Sequence, residues 1–199
     1  MRIVVEVGSH NGNDSEHLIE GADRAFLCEP DPEQFVNLVR RFSGIPNVTL
    51  CPFAIAQEHG VADFNISVGE RGICSLYELH PDLLNTALVQ YDCFVQGFQK
   101  KVKVWTVRLD QLMELYDIPH IDRLWIDAQG NDLIALKSLG KRVFDVKEGR
   151  CETTYKVPIY QGVDNTYHSV ISFLESVGFK HQVDYVHAND SEIDVKFWR

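Results

Sequence analysis

The sequence lacks any apolar run long enough to cross a bilayer. A transmembrane helix needs roughly 18 or more consecutive apolar residues, and no stretch of the 199 residues reaches that length. The amino terminus turns acidic at Glu6, which is too early for a signal peptide. We therefore expect a soluble, intracellular protein of the cytoplasm without a membrane span.

Basic residues are scarce relative to acidic ones. The chain has 19 Lys and Arg against 29 Asp and Glu, which gives a formal net charge of -10. Nucleic acids and anionic membranes are bound by clustered cations, and short pairs such as Arg40-Arg41 and Lys100-Lys101 are too small for that. We therefore expect no nucleic-acid partner.

Cysteine motifs are also missing. The five cysteines lie far apart and form no Cys-x-x-Cys pair, so the sequence indicates neither a disulfide framework nor a zinc site. The remaining composition, with 45% hydrophobic and 24% charged residues, is that of an ordinary globular protein. Repeats, low-complexity runs and linkers are absent from the sequence, and we predict one domain over residues 1–199.

Strands and helices alternate in the order typical of a parallel sheet wrapped by helices. The apolar run 3–7 predicts a first strand, and a helix follows from Asn13 to about Gly21, with Asn13 and Glu16 as a pair resembling a capping box. Residues 179–187 and 192–198 predict a terminal hairpin around 188–191. Further strands are predicted at 25–28, 48–51, 61–68, 101–109, 124–126 and 151–153, and further helices at 32–42, 110–116, 133–139 and 167–177.

The pattern weakens from Gly69 to Gln99, where glycines, a His-Pro step and mixed aromatics replace regular periodicity. We predict a variable insertion or lid over residues 69–99.

The first turn, Glu6-Val7-Gly8-Ser9-His10-Asn11-Gly12, departs from the dinucleotide-binding fingerprint. His10 occupies the place of the second glycine, and a carboxylate at Glu6 would repel a phosphate. A cationic, phosphate-free nucleoside such as S-adenosylmethionine (SAM) fits better. Glu29 follows Gly8 by 21 residues, where an acceptor for ribose hydroxyls is expected. The alternative is a simple tight turn and a solvated Glu29.

These residues resemble the FkbM-type SAM-dependent methyltransferases. Residues 5–12 are similar to the family's first motif, 27–32 to its ribose-binding turn, and 48–54 to the strand that leads to the adenine side. Residues 126–136 resemble its Asp-x-Glu/Gln-Gly segment, with Asp132 in place of the usual glutamate. Residues 74–76, 157–162, 174–179 and 194–197 resemble further landmarks, so the resemblance spans nearly the whole chain except most of 69–99.

The resemblance implies the class I methyltransferase fold, which is Rossmann-like and of the α/β class. It has a seven-stranded, mostly parallel sheet with an antiparallel last strand and helices on both faces. SAM is the implied cofactor and S-adenosylhomocysteine (SAH) the product. The residues expected at the cofactor are Glu6, Gly8, Ser9, His10, Asn11, Gly12, Glu29, Pro30, Asp31, Ala54 and Asp127.

Little chain precedes the first motif strand, whereas many such enzymes carry N-terminal helices over the cofactor. We therefore expect either a domain of a longer protein, fused to or associated with another biosynthetic domain, or a minimal enzyme completed by a partner.

Three residues are candidates for catalysis. Asp127 follows a buried strand, at the edge where ligands bind, and could orient cofactor or acceptor. Glu152 ends the next strand and His168 begins a helix, so either could take a hydroxyl proton. The plainer alternatives are a helix cap at Asp127 and a surface histidine at His168. Asp127, Asp132, Glu152 and His168 could instead bind a divalent cation, which we do not favour because no tight ligand spacing is present.

The leading hypothesis is O-methylation of a hydroxyl, with a sugar or glycan favoured as acceptor because the family is often associated with saccharide and polyketide biosynthesis. A hydroxyl of a non-sugar small molecule is the second possibility. A non-catalytic Rossmann-like binding or scaffold domain is a third, and an NAD-type oxidoreductase is disfavoured by His10 in the first turn.

Overall fold

The computed structural model describes residues 1–69, 71–187 and 191–199. Within these ranges, no helix is both long and apolar enough to span a membrane. The strands are β1 (Ile3–Val7), β2 (Arg24–Cys28), β3 (Val48–Cys51), β4 (Phe53–Ile55), β5 (Gly60–Ile66), β6 (Lys100–Val107), β7 (Ile121–Ile126), β8 (Val146–Thr154), β9 (Lys180–Val186) and β10 (Glu192–Trp198). The α-helices are α1 (Ser15–Ile19), α2 (Pro32–Phe42), α3 (Asp92–Gln96), α4 (Leu109–Leu115), α5 (Asp132–Lys137) and α6 (Tyr167–Ser176). Short 3-10 helices cover Arg71–Ile73, Pro81–Asn85, Ala87–Gln90 and Gly140–Asp145.

The main sheet has seven strands in the order β3-β2-β1-β7-β8-β10-β9. The first five run parallel, and β10 lies antiparallel to both of its neighbours. The predicted seven-stranded sheet with an antiparallel last strand is therefore confirmed, as is the terminal hairpin. Residues 188–190 of the predicted hairpin turn lie outside the described residues.

Helices cover both faces of this sheet, which is why its central strands are continuous apolar runs. In β1, Val4 packs with Leu18 of α1, whereas Val5 packs with the side chains of α4, α5 and α6 on the other face. Residues alternate between the two faces along a strand, so a strand with both faces buried needs an apolar side chain at nearly every position. Glu6 is the one polar side chain in β1 and lies at its carboxyl end.

A second, three-stranded sheet of order β4-β6-β5 was not anticipated from the sequence. The predicted motif at 48–54 is divided at Pro52, so that β3 pairs with β2 and β4 pairs with β6. Proline has no N–H to donate to a strand ladder, which explains the change of sheet at this position. The predicted strands at 61–68 and 101–109 form the rest of this sheet as β5 and β6.

The segment 71–99 forms a small apolar cluster together with the loop between β8 and α6. Leu83, Leu88 and Phe94 are buried there together with Ile159 and Tyr160 from the loop between β8 and α6. Isolated bridges connect Asn65 to Ser75 and Leu79 to Tyr160. The segment is thus packed against the chain rather than extended from it.

The first helix is shorter than predicted. It starts at Ser15 and ends at Ile19, and Asp14 at its N-cap makes no side-chain cap bond. Asn13 Oδ1 and Glu16 Oε1 instead accept hydrogen bonds of 2.7 Å each from Arg41 of α2. The predicted capping box is therefore wrong, because Arg41, which is distant in sequence, binds both side chains.

Candidate functional site

A pocket opens at the carboxyl ends of β1, β2 and β7. Strand order reverses between β1 and β7, and the crevice at such a switch point is where open α/β sheets bind ligands. The pocket also receives Arg71, Gly72, Cys74 and Leu76 from the 69–99 segment. Of the predicted cofactor residues, those lining the pocket are Glu6, Gly8, Ser9, His10, Asn11, Glu29, Pro30, Ala54 and Asp127.

Gly8 makes the turn that ends β1. Its φ is +84°, and its N–H and that of Ser9 both donate to the Cys28 carbonyl, at 2.9 and 3.0 Å. A Cβ added at Gly8 would lie 1.8 Å from the carbonyl oxygen of Asp127. Glycine is needed here because the strand ends approach each other too closely for any side chain.

Gly8→Ala is expected to lower the free energy of unfolding by more than strain at a positive φ alone would. Strain in the left-handed region costs about 1 to 2 kcal/mol, and forcing atoms into occupied space adds about 1 to 3 kcal/mol. Urea unfolding of Gly8→Ala and Gly162→Ala separates the two effects, because Gly162 has a φ of +75° with nothing within 4 Å of an added Cβ. Equal losses in both variants would contradict the close approach at Gly8.

Glu29 is fixed by two backbone groups. Its side chain is buried, with Oε2 accepting from the His10 N–H and Oε1 from the Asp31 N–H, both at 2.7 Å. Burial raises the pKa of Glu29 to about 8 despite these hydrogen bonds. A carboxylate held by both the first turn and the β2–α2 turn keeps a fixed position at the pocket wall.

Asp31 does not line the pocket, although its backbone supports Glu29. Its Oδ1 accepts from the Glu33 N–H at 2.9 Å, which caps α2. Its Oδ2 pairs with Arg71 at 2.6 Å. Asp31 thereby anchors the start of the 71–99 segment beside the pocket, and its direct role at the cofactor stays a prediction.

Glu6 and Gly12 contribute in different ways. Glu6 is buried, and its Oε2 accepts a 2.5 Å hydrogen bond from Ser15 Oγ. Burial raises the pKa of Glu6 to about 7, against the lowering effect of the hydrogen bond from Ser15. Gly12 lies outside the pocket lining, and a Cβ there would come within 2.4 Å of the Phe42 ring. Its lack of a side chain lets the first loop pack against α2.

Asp127 follows the last residue of β7 and is open to the pocket. Protein atoms surround it on its other sides, and this desolvation raises the pKa of Asp127 to about 6. Gln129 Nε2 donates to Asp127 Oδ1 at 2.6 Å, which opposes the shift. A carboxylate that ionises near pH 6 and faces a pocket can take a proton at neutral pH.

Gln129 is a site residue that the sequence reasoning missed. Tyr160 Oη donates to Gln129 Oε1 at 2.7 Å, and Ser75 Oγ donates to the Gln129 carbonyl at 2.7 Å. Tyr77 Oη reaches the neighbouring Asn131 Oδ1 at 2.9 Å. The 69–99 segment is thus docked on the loop after β7. Gln129 and Ser75 both lie in segments that resemble family motifs, which is the signal that the sequence offers. Their contact joins residues 54 positions apart, so sequence patterns do not predict it.

The other catalytic candidates are placed differently. Glu152, near the end of β8, is buried beside the pocket and lies 3.4 Å from Gln129 Nε2. Asp132 is fully buried and accepts from the Glu152 N–H at 3.1 Å, which ties α5 to β8. His168 is exposed on the first turn of α6 and is not among the residues that line the pocket. His187 is the histidine that the structure brings to Glu152, with Nε2 3.4 Å from Oε1.

The fold is shared with solved methyltransferase structures. SMU.1697c of Streptococcus mutans, in complex with SAH, aligns with a TM-score of 0.55 at 11% identity, covering 100% of this chain and 88% of that chain. Fibrillarin of Aeropyrum pernix, with natively bound SAM, aligns with a TM-score of 0.53 at 10% identity, covering 100% of this chain and 66% of that chain. The chain has the class I methyltransferase fold, as predicted.

Comparison of the sequence with known families shows which family the chain belongs to. A profile of the methyltransferase FkbM domain matches residues 6–181, and the chain belongs to this family. The 2-O-methyltransferase NoeI of Sinorhizobium fredii is 27% identical over 139 residues, which are 67% of this chain and 56% of that protein. The chain thus spans about half the length of this curated relative.

Proposed function

We propose that this chain transfers the methyl group of SAM to a hydroxyl oxygen, with a sugar or glycan as acceptor. The carrying observation is the set of three carboxylates, Glu6, Glu29 and Asp127, at the ends of three adjacent parallel strands around one pocket. Carboxylates attract the sulfonium and ammonium charges of SAM and disfavour phosphate-bearing cofactors. A domain that served only as a scaffold would have no use for this arrangement.

The pocket walls suggest how the cofactor lies. Glu29 uses one lone pair of each oxygen for a backbone N–H, which leaves acceptor capacity for two ribose hydroxyls. Phe53, Ala54 and Ile55 form an apolar wall suited to an adenine ring. The turn at 8–11 then faces the methionine part, next to Glu6.

The reaction is an in-line displacement. A bond forms between the acceptor oxygen and the methyl carbon while the carbon–sulfur bond breaks, and sulfur keeps the electron pair, so SAM becomes SAH. The hydroxyl proton passes to a base, a role we assign to Asp127 because its carboxylate is open to the pocket. Alignment of the two reactants supplies much of the rate enhancement.

The hydroxyl acceptor is supported by the relative NoeI, which is described as a 2-O-methyltransferase. The choice of a sugar or glycan rests on the family resemblance.

Calorimetric titration with SAM and SAH, followed by mass spectrometry of candidate acceptors, tests the proposal. We expect SAM and SAH to bind and saccharides to gain a methyl group. Methylation confined to non-sugar alcohols would overturn the choice of sugar. Binding without transfer to any hydroxyl would favour a scaffold, and stabilisation by NAD but not by SAM would favour an oxidoreductase.

A further inference from the structure

Glu152, His187 and Asp194 converge at the edge of the sheet beside the cofactor pocket. Asp194 pairs directly with Glu152 in the antiparallel register of β10 and β8, and His187 directly follows β9. His187 Nε2 lies 3.4 Å from Glu152 Oε1 and 3.2 Å from Asp194 Oδ2. One oxygen or nitrogen atom of each residue lies within 4.8 Å of the other two.

Negative charge is in excess at this cluster. Glu152 and Asp194 are both buried, and the buried Asp132 lies beside them, where it accepts from the Glu152 N–H. Arg150 faces them from β8, where it pairs with Asp194 and also with Asp184 at 3.3 Å. Concentrating carboxylates in a buried place is unfavourable unless a cation or protons compensate.

Glu152 has weak partners for a buried carboxylate. Its side chain is 9% exposed, and the contacts described for its oxygens, with Gln129 Nε2 and His187 Nε2, are both 3.4 Å long. Charge-assisted hydrogen bonds are normally about 2.7 to 2.9 Å. The carboxylate therefore has the capacity to bind a further ligand at short distance, on the side that faces His187 and Asp194.

We propose that Glu152, His187 and Asp194 bind a divalent transition-metal ion such as Mn²⁺. At metal–ligand distances of about 2.1 Å, donor atoms 3.2 and 3.4 Å apart subtend angles of about 100° to 110°, close to those of common coordination geometries. Two carboxylates and one imidazole form a mixed donor set that such ions accept.

Metal ligation would use the lone pair of His187 Nε2, so a proton on that atom would have to leave. Arg150 would remain on Asp194 and orient it from outside the metal shell. The three protein ligands leave open positions for water or an acceptor oxygen.

A catalytic use of the ion rests on the proposed function. Glu152 contacts Gln129, which contacts Asp127, so the ion would lie next to the proposed base. There it would lower the pKa of an acceptor hydroxyl. Metal binding itself does not depend on methyl transfer.

Titration of the full, chelator-treated chain with Mn²⁺, with free Mn²⁺ followed by electron paramagnetic resonance, tests the site. We expect one ion per chain, at least tenfold weaker binding in Glu152→Gln and in His187→Gln, and unchanged binding in His168→Gln. Pulsed measurements on wild type should show ¹⁴N coupling from an imidazole, lost in His187→Gln.

Absence of Mn²⁺ binding, absence of the ¹⁴N coupling in wild type, or equal binding by all variants would overturn the proposal. The measurements on wild type test the metal site even if a variant fails to fold. SAH titration of the same samples keeps the two ideas apart. Binding of SAH without Mn²⁺ would remove the metal site alone, whereas binding of Mn²⁺ without SAH would remove the proposed function alone.

Discussion

Replacing Asp127 with asparagine is expected to lower kcat by about 100- to 10,000-fold, the usual contribution of a general base. Asparagine keeps the shape of the side chain and can still accept the hydrogen bond from Gln129, but it cannot take a proton from a hydroxyl. The loss should therefore appear in kcat far more than in SAH affinity, measured by calorimetry. A steady-state assay with the best acceptor from the screen provides the rates.

The pH profile gives a second, independent sign of this role. Since the pKa of Asp127 is raised to about 6, protonation below pH 6 should reduce kcat/KM for the acceptor, measured at saturating SAM, about tenfold per pH unit, with a plateau above. Asp127→Asn should lack that slope. Asp63→Asn, a change on the surface of β5, is a suitable control. If Asp127→Asn kept both the rate and the slope, the base would lie elsewhere.

Removing Glu29 is expected to weaken SAH binding by about 10- to 150-fold, which corresponds to the 1.5 to 3 kcal/mol of hydrogen bonds to a charged group. Calorimetry of Glu29→Ala and Glu29→Gln measures the loss. Glu33→Gln is a matched control because Glu33 lies on the next turn of chain, pairs with Arg71 and is largely exposed. Its affinity should stay within twofold of wild type, and a loss equal to that of Glu29→Gln would contradict ribose binding by Glu29.

Glu29→Gln also separates lost binding from lost folding. The pKa of Glu29 is raised from 4.5 to about 8 in the folded chain, so the folded state holds a proton that the unfolded state has released. The contribution of Glu29 to the free energy of unfolding of the wild type therefore falls as pH rises from 4.5 to 8. Glutamine has no such dependence, but its amide nitrogen cannot accept the second backbone N–H. Glu29→Gln should therefore be less stable than wild type at acidic pH, and the difference should shrink as pH rises to 8, in urea unfolding.

The sheet and the first turn could be predicted because their signals are local. The signals are the apolar run of β1, the glycine turn that follows it and the carboxylate at the end of each strand. Each of them lies within a short stretch of sequence. The parallel order then places those strand ends together, which is why Glu6, Glu29 and Asp127 line one pocket, as the sequence predicts. Their roles at the cofactor stay predictions.

Long-range pairings could not be predicted in the same way. The choice of Arg41 as partner for Asn13 and Glu16 connects two helices across 25 to 28 residues. The neighbourhood of His187 depends on the register of two hairpin strands, which alternation of apolar residues does not determine. The sequence favours His168 instead because it follows a loop and opens a helix, a pattern that is also typical of exposed residues.

Two carboxyl groups on the pocket wall hold protons at neutral pH. Glu6 and Glu29, with pKa values of about 7 and 8, are partly protonated when nothing compensates their charge. A cationic ligand that enters favours their ionised forms and so displaces protons into solvent. Occupancy of the pocket is thereby linked to pH through two buried groups on the pocket wall, and ligand affinity should rise from acidic pH to about pH 8.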